Sequence, residues 1–344
     1  MAGFVGKRVH TVVAASTAVV LAGVGTAVAI RANDGTTSTG GPELTPSATS
    51  ASAHVTPRPT PEKRTSAPVN PLTGRKPSDN KVVAVKVENI AAARPQIGLD
   101  AADIVFVEEV EGSLTRLVAV YHTTFPKRVG PVRSARNTDV ELLPLFGEPG
   151  LVYSGANRKV QRNIDRSPIV PLQRSDRDSS RIAPHNVFVD LDAVADRTKK
   201  VGAARSIGWT FAPDDARWDE AARDSSVSAE VGGDTFAFRA QDDRYVVRWN
   251  GKTYADGRSG KPAATDNVVV MSVRNKPDGN ADVNGSRSVK SATVGKGKVV
   301  IYRGGRKISG TWRRAGDTEP LRFVDADGHD IPLAVGRTWV LLSG

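Results

Sequence analysis

The chain has 344 residues, 39% of them hydrophobic, no cysteine and a formal net charge of +11. That length allows one large or two ordinary domains. The missing cysteine excludes disulfides, cysteine-ligated zinc and cysteine nucleophiles, and leaves export open, since export permits disulfides without requiring them.

The N-terminal segment carries Lys7, Arg8 and His10, followed by an uncharged stretch from Thr11 to Ile30. A basic region before an apolar one is the pattern of an export signal. As a helix the stretch would reach about 30 Å, enough to cross a bilayer core. Ala27-Val28-Ala29 has the small-x-small form of a cleavage site, so residues 1–31 read as either a cleaved signal peptide or a retained membrane anchor. Leu21-Ala22-Gly23 opens a lipid-attachment box, but Val24 stands where the cysteine is needed. The expected location is therefore extracytoplasmic, secreted or held at the outer membrane face, and not lipidated. Setting aside Lys7, Arg8 and Arg31 leaves +8 of the +11 on the remainder. A basic surface attracts polyanions, which for an exported chain are anionic headgroups or wall polymers and not nucleic acid. The charges are scattered, which ordinary solubility explains equally well.

Residues 32–69 are rich in Thr, Ser, Pro, Ala and Gly, with almost no large apolar side chain. Such a segment cannot offset its ordering entropy and reads as an extended, proline-stiffened tether. Strands are expected at Val82–Glu88, Ile104–Val110, Leu117–Tyr121 and Leu151–Tyr153. Helices are expected from Ser134, as N-cap, towards Phe146, then from Ala156 to Ile164, and from Asp190 onward. Alternating strands and helices make residues 70–205 an α/β layer domain. From Ser206 the pattern is β-rich, with strands at Thr235–Arg239, Arg244–Trp249, Asn267–Val273, Ser291–Val294, Lys298–Arg303 and Thr338–Leu342. Asn250-Gly251, Gly304-Gly305 and Asp327-Gly328 supply turns between them. The fold class expected is α+β, an N-terminal α/β layer domain followed by a β-rich domain at 206–344.

Several strings carry a family resemblance: Asn70-Pro71-Leu72-Thr73-Gly74, Ala93-Arg94-Pro95-Gln96-Ile97-Gly98-Leu99, Ala102-Asp103-Ile104-Val105-Phe106, Glu111-Gly112 with Thr115-Arg116, Gly130-Pro131-Val132-Arg133-Ser134-Ala135-Arg136 and Pro184-His185-Asn186. Gly310-Thr311-Trp312 and Gly336-Arg337-Thr338-Trp339 extend it into the second half. Together they resemble the YerB-like family of bacterial envelope proteins, a domain family of unknown function, over residues 70–344. The resemblance implies an envelope location and this two-part architecture, and no established chemistry. Family members are often lipoproteins, from which this chain departs by lacking the lipid-bearing cysteine.

Three groups of residues are candidates for chemistry. Arg133 and Arg136 flank Ser134 at an expected helix start, where free N–H groups and arginine forks would cradle an anion, with Arg116 nearby. Internal pairing of these arginines with Glu108, Glu109 and Glu111 is the competing reading. Glu109 and Glu111 end an apolar strand, where a parallel sheet would line a ligand crevice, and alternation lets these two share a face. Either could be a general acid, with His185 assisting. His185, Asn186 and Ser154 are further ligand contacts, or plain loop and turn residues. His122, His185 and His329 form no metal-binding motif, and neither a metal nor a cofactor is expected. Asn280–Gly285 echoes a calcium loop, but Asn replaces its first Asp and Ser291 its bidentate Glu, so a hairpin loop fits better. Ser78-Asp79-Asn80-Lys81 matches S-x-x-K without its K-T-G partner. Trp249, Tyr254, Trp312 and Trp339 could stack sugars, although tryptophans on strands more often face a core.

Two functions follow. The first is a non-enzymatic envelope module that binds peptidoglycan, an anionic wall polymer or a protein partner through the arginine-rich crevice. The second is a wall-glycan hydrolase or lyase using Glu111 or Glu109 with His185.

Overall fold

The computed structural model describes residues 68–172, 175–195, 197–281 and 285–344. The export segment with its cleavage motif, nearly all of the tether, and residues 282–284 of the calcium-loop echo lie outside the described residues. No helix among the described residues is long and apolar enough to cross a membrane.

Branched side chains suit a pleated surface, and the Val-rich runs become the inner strands. β1 (Val83–Glu88), β2 (Ile104–Glu109) and β3 (Thr115–Tyr121) pair antiparallel in the order β2–β3–β1. After α1 (Asn137–Leu142), β4 (Gly150–Val152) joins β1 in parallel. α2 (Arg158–Asp165) is capped by Asn157, which accepts from the Val160 N–H at 2.9 Å. β5 (Val170–Pro171) then pairs with β4. β6 (Asp176–Arg177) and β7 (Val187–Phe188) make a small separate ladder ahead of α3 (Leu191–Ala195).

In the second half, α4 (Ala216–Glu220) and β8 (Ala222–Arg223) lead into a meander of β9 (Ser226–Val231), β10 (Asp234–Gln241) and β11 (Arg244–Trp249). β12 (Lys252–Thr253) and β13 (Ala264–Thr265) complete a five-stranded sheet. β14 (Asn267–Ser272) re-enters the large sheet, and β15 (Asn275–Ala281) with β16 (Arg287–Ser291) forms a hairpin of its own. β17 (Gly295–Arg303), β18 (Arg306–Arg314), β19 (Arg322–Val324) and β20 (Thr338–Ser343) finish the large sheet. Its order is β19–β18–β17–β14–β20–β2–β3–β1–β4–β5, so one sheet runs through both halves. β20 lies between β14 and β2, parallel to both. Gly304 and Gly305 both take positive φ at the β17–β18 turn, as Asn250 and Gly251 do after β11, the backbone a two-residue hairpin turn requires.

Both faces of the large sheet are buried, which explains inner strands that carry apolar residues on both faces over most of their length. Ala84, Ile104, Phe106, Val118 and Val340 face the short helices, with Leu142, Phe146, Val160 and Ile164 above them. Val85, Val105, Leu117 and Trp339 face the five-stranded sheet, meeting Phe236, Phe238, Val247 and Tyr254. The α+β class expected from the pattern is the class observed. The aromatic residues set aside as a possible sugar platform, Trp249, Tyr254, Trp312 and Trp339, are all core.

Among the element boundaries that differ from expectation, two do so for clear local reasons. The first helix begins at Asn137, with Arg136 and not Ser134 at the N-cap. The preceding segment is held extended, because Ala135 N–H donates to Gly155 O and Ser154 N–H to Arg133 O. The strand expected at Ser291–Val294 stops at Ser291. There Glu141 takes over the backbone, accepting from the N–H groups of Thr293 at 2.6 Å and Val294 at 3.1 Å.

Arg314, fully buried on β18, locks α1 to the second half. Its guanidinium donates to the carbonyls of Glu141 at 3.0 Å and Leu142 at 3.2 Å, and to Thr293 Oγ1 at 3.1 Å. Burial lowers its pKa to about 10. Arg314→Met would leave buried carbonyls without donors, and a loss of about 3 kcal/mol in urea unfolding is expected.

Candidate functional site

The C-terminal ends of β1 and β2 and the start of β3 bring most of the candidate residues together. Glu88, Arg116 and Glu108 occupy one cross-strand row. Even-numbered positions of β1 and β2 face α1, so Lys86 and Glu88 share that face with Glu108. Beneath α1 the Lys86 ammonium, wholly buried, is bonded to Glu108 and to Asp139 Oδ1 at 2.8 Å. Asp139 also accepts from the Arg136 N–H at 2.6 Å. Arg136 grips Glu111 with two parallel bonds, from Nε and from Nη2, the latter at 2.7 Å. Arg116 stands 3.9 Å from the same carboxylate and donates to Ser134 O at 2.9 Å. Arg133 lies 2.9 Å from Glu88, whose other oxygen is 2.7 Å from His185 Nδ1. Four cations thus meet four carboxylates, with His185 at the edge.

Protonation follows from this packing. Burial, then the charge of Asp139, pushes Glu108 up to about 7 against the pull of Lys86. Burial would also raise Glu111, but the hydrogen bonds and charge of Arg136 outweigh it and hold the carboxyl below its ordinary range. Desolvation, then the neighbouring Arg136, lowers Arg116 to about 10.

The expected anion cradle is therefore altered. Arg136 is buried and committed to Glu111, and α1, six residues long, turns no open end towards solvent at this point. Arg133 keeps part of its surface, with both Nη groups free of partners among the described residues, and Ser134 is half-buried beside it. Ser154 is exposed and joined to this rim through its N–H to Arg133 O at 3.1 Å. Asn186 is buried, and its side-chain oxygen accepts from Arg177 at 3.4 Å, which makes it a support of the β6–β7 ladder and not part of the rim.

Glu109 and Glu111 do not share a face. Glu109 turns to the side of the five-stranded sheet and accepts from Asn275 Nδ2 at 2.6 Å. Glu111 belongs to a 3-10 turn, Glu111–Ser113, that swings back towards Arg136. Strand alternation was the wrong guide, because β2 ends at Glu109.

Other residues of the region were not singled out from sequence. Lys86, Glu88 and Asp139 carry the cluster, and the signal available was a lysine and a glutamate inside a Val-rich run. Arg94 stacks between the rings of Trp249 and Tyr254 at 3.8 and 4.1 Å, and donates to Asn89 Oδ1 at 3.0 Å. At the loop that carries His185, Ile182 is 83% exposed. The Asp325-Ala326-Asp327-Gly328 turn groups Asp325, Asp327 and His329, but Asp325 is already occupied by Arg217 and by two backbone N–H groups.

Models of a family described as protein of unknown function DUF3048 match this chain twice, the N-terminal domain over residues 72–204 and the C-terminal domain over 225–340. The chain belongs to this family. It is 27% identical over 296 residues to "Putative lipoprotein YerB" of Bacillus subtilis, covering 81% of this chain and 86% of that one. Its fold is similar to the crystal structure of the Bacillus subtilis YerB protein, with a TM-score of 0.67 and 24% identity, covering 80% of this chain and 96% of that one. The YerB-like resemblance is thereby established. The relative's name corrects the expected location, which had the chain secreted or helix-anchored without lipid. Its lipid-free part rested on Val24 and the absence of cysteine, and the rest on Lys7 to Ala29, a segment outside the described residues; it gives way to a relative named for lipid attachment.

Two outcomes are expected of the cluster. Arg136→Met strands a buried carboxylate and should cost about 3–5 kcal/mol in urea unfolding at pH 7, most of it recovered in Glu111→Leu/Arg136→Met. Glu108 has a raised native pKa, so the native state holds its proton longer than the unfolded chain. Its contribution to stability is full below pH 4.5 and is lost as pH rises through about 7. In Glu108→Gln the fall in stability between pH 5 and pH 8 should be shallower than in the parent chain.

Proposed function

We propose that this chain is a non-catalytic binding module that holds an acidic component of the cell envelope, peptidoglycan or an anionic wall polymer, at the rim of the charge cluster. The observation that carries the reading is the sharing of one carboxylate. Arg133 meets Glu88 through Nε alone and His185 takes the other oxygen, so both Nη groups of Arg133 face outward without an acid of their own among the described residues. The Arg133 Nη groups and the hydroxyls of Ser134 and Ser154 have no partners among the described residues, and each can donate to a carboxylate or phosphate. The buried pairs behind the rim fix its position, which limits the ordering cost of binding. A relative named a lipoprotein agrees with an envelope ligand.

The hydrolase alternative finds less support. A general acid must hold a proton near working pH, and Arg136 keeps Glu111 ionised. Glu109 lies on the other face of the sheet and cannot act opposite it. The test is cosedimentation of the full chain with purified peptidoglycan, with and without its anionic polymers, together with assay of soluble fragments. Binding that weakens with salt, falls at least fivefold in Arg133→Ala and releases no fragments is expected. Fragment release abolished by Glu111→Gln would establish the hydrolase instead, and no binding to either material would end the wall-ligand proposal.

A further inference from the structure

A concave site lies on the outward face of the small sheet, away from the charge cluster. In the five-stranded sheet Phe236, Phe238, Tyr245, Val247 and Trp249 point into the core. The alternate residues therefore point outward: Thr235, Ala237, Arg239 and Gln241 on β10, and Arg244, Val246 and Arg248 on β11. A cavity of about 620 Å³ opens on this outward face, lined by Arg239, Gln241, Val246, Arg248, Thr253 and Pro262. Among the described residues no carboxylate lines it.

The arginines here differ from those of the cluster in what they lack. Arg239 has no hydrogen-bond or ion-pair partner among the described residues. Arg248 gives one N–H to Gly251 O and meets no carboxylate among the described residues. The third arginine of the face, Arg244, is already committed to Ala264 O at 2.6 Å and to Asp266 at 3.4 Å. Glu230 is the only acid at the outward positions of β9, β10 and β11, and it stands opposite Thr235, outside the lining. In register, Arg239 faces Val246 and Ala237 faces Arg248, so the two arginines are diagonal neighbours. Diagonal positions are about 7–8 Å apart, within joint reach of two guanidinium side chains. Like charges so placed repel, and an anion between them relieves the repulsion while accepting bidentate bonds.

We infer that this trough binds the phosphate groups of a linear polyanion. The two forks can hold one phosphate between them, and a cavity of about 620 Å³ leaves room for the neighbouring units of a chain where a single small ion would underfill it. Gln241 and Thr253 supply hydrogen bonds to hydroxyls between the charges, and Val246 and Pro262 give an apolar floor for the carbon skeleton. A concave site also disfavours a flat lipid surface as the source of the phosphates. This inference does not depend on the rim at Arg133.

The experiment is a titration of the full chain with soluble sodium polyphosphate, followed by calorimetry at two salt concentrations. Arg239→Ala/Arg248→Ala should weaken binding at least tenfold, and Arg239→Lys/Arg248→Lys should restore only part of it. Lys296→Ala/Lys298→Ala removes two exposed charges from β17 and should change affinity less than twofold. All four substitutions are at exposed positions, and unchanged urea midpoints will show that folding is intact. Equal weakening in the two double alanine variants would overturn the inference in favour of diffuse attraction by net charge. Parent-like binding by Arg239→Ala/Arg248→Ala would overturn it as well. Binding to phosphatidylglycerol vesicles, lost in that variant and unaccompanied by polyphosphate binding, would replace the chain ligand with a membrane surface. Arg133→Ala serves as the cross-check, because loss there alone would locate binding at the rim.

Discussion

A lysine ammonium cannot be taken out of water alone, and Lys86 is taken out entirely. It is tolerable because Glu108 on the neighbouring part of the sheet and Asp139 on α1 close around it. That requirement fixes more than one pair. Asp139 can reach Lys86 only if α1 starts where Arg136 becomes its cap, and Arg136 in turn needs Glu111. Glu111 is available because β2 ends early and the chain turns. The row Glu88–Arg116–Glu108 then holds the strand ends in register from the other direction. A buried ionic group of this kind adds little net stability compared with apolar packing of the same volume. Its effect is on geometry: few other arrangements of β1, β2, β3 and α1 satisfy every charge.

The same pairing bears on function. An arginine held by a buried glutamate is positioned but spent, whereas an arginine sharing its acid with a histidine, or having none, keeps capacity for a ligand. By that criterion the string Gly130–Arg136 divides, with Arg136 committed to Glu111 and Arg133 left with N–H groups unpartnered among the described residues. The same criterion separates Arg244 from Arg239 and Arg248 on the small sheet.

The inner strands were legible in the sequence because burial on both faces leaves unbroken apolar runs. Polar strands such as β9, β15 and β18 were not, since Ser-, Asn- and Arg-bearing segments become strands here by pairing with neighbours and not by their own pattern. The arginines, Glu111 and His185 were found as a set because charged residues next to apolar runs stand out. Their partners were harder to see. Which glutamate faces which arginine depends on where β2 stops and how the Glu111–Ser113 turn bends, and local spacing does not encode that. Lys86 was missed for a related reason: within a Val-rich run one lysine reads as a strand edge until a helix residue fifty positions later is seen to neutralise it.

β20 occupies the middle of the large sheet, with β14 on one side and β2 on the other, yet it is the last strand in chain order among those described. Until Thr338–Ser343 arrives, β2 and β14 each present an open edge of unpaired backbone groups. The first half therefore cannot complete the large sheet without a strand from the second half. Completion of the large sheet has to wait for Thr338–Ser343, whose pairing with β14 and β2 joins the two halves.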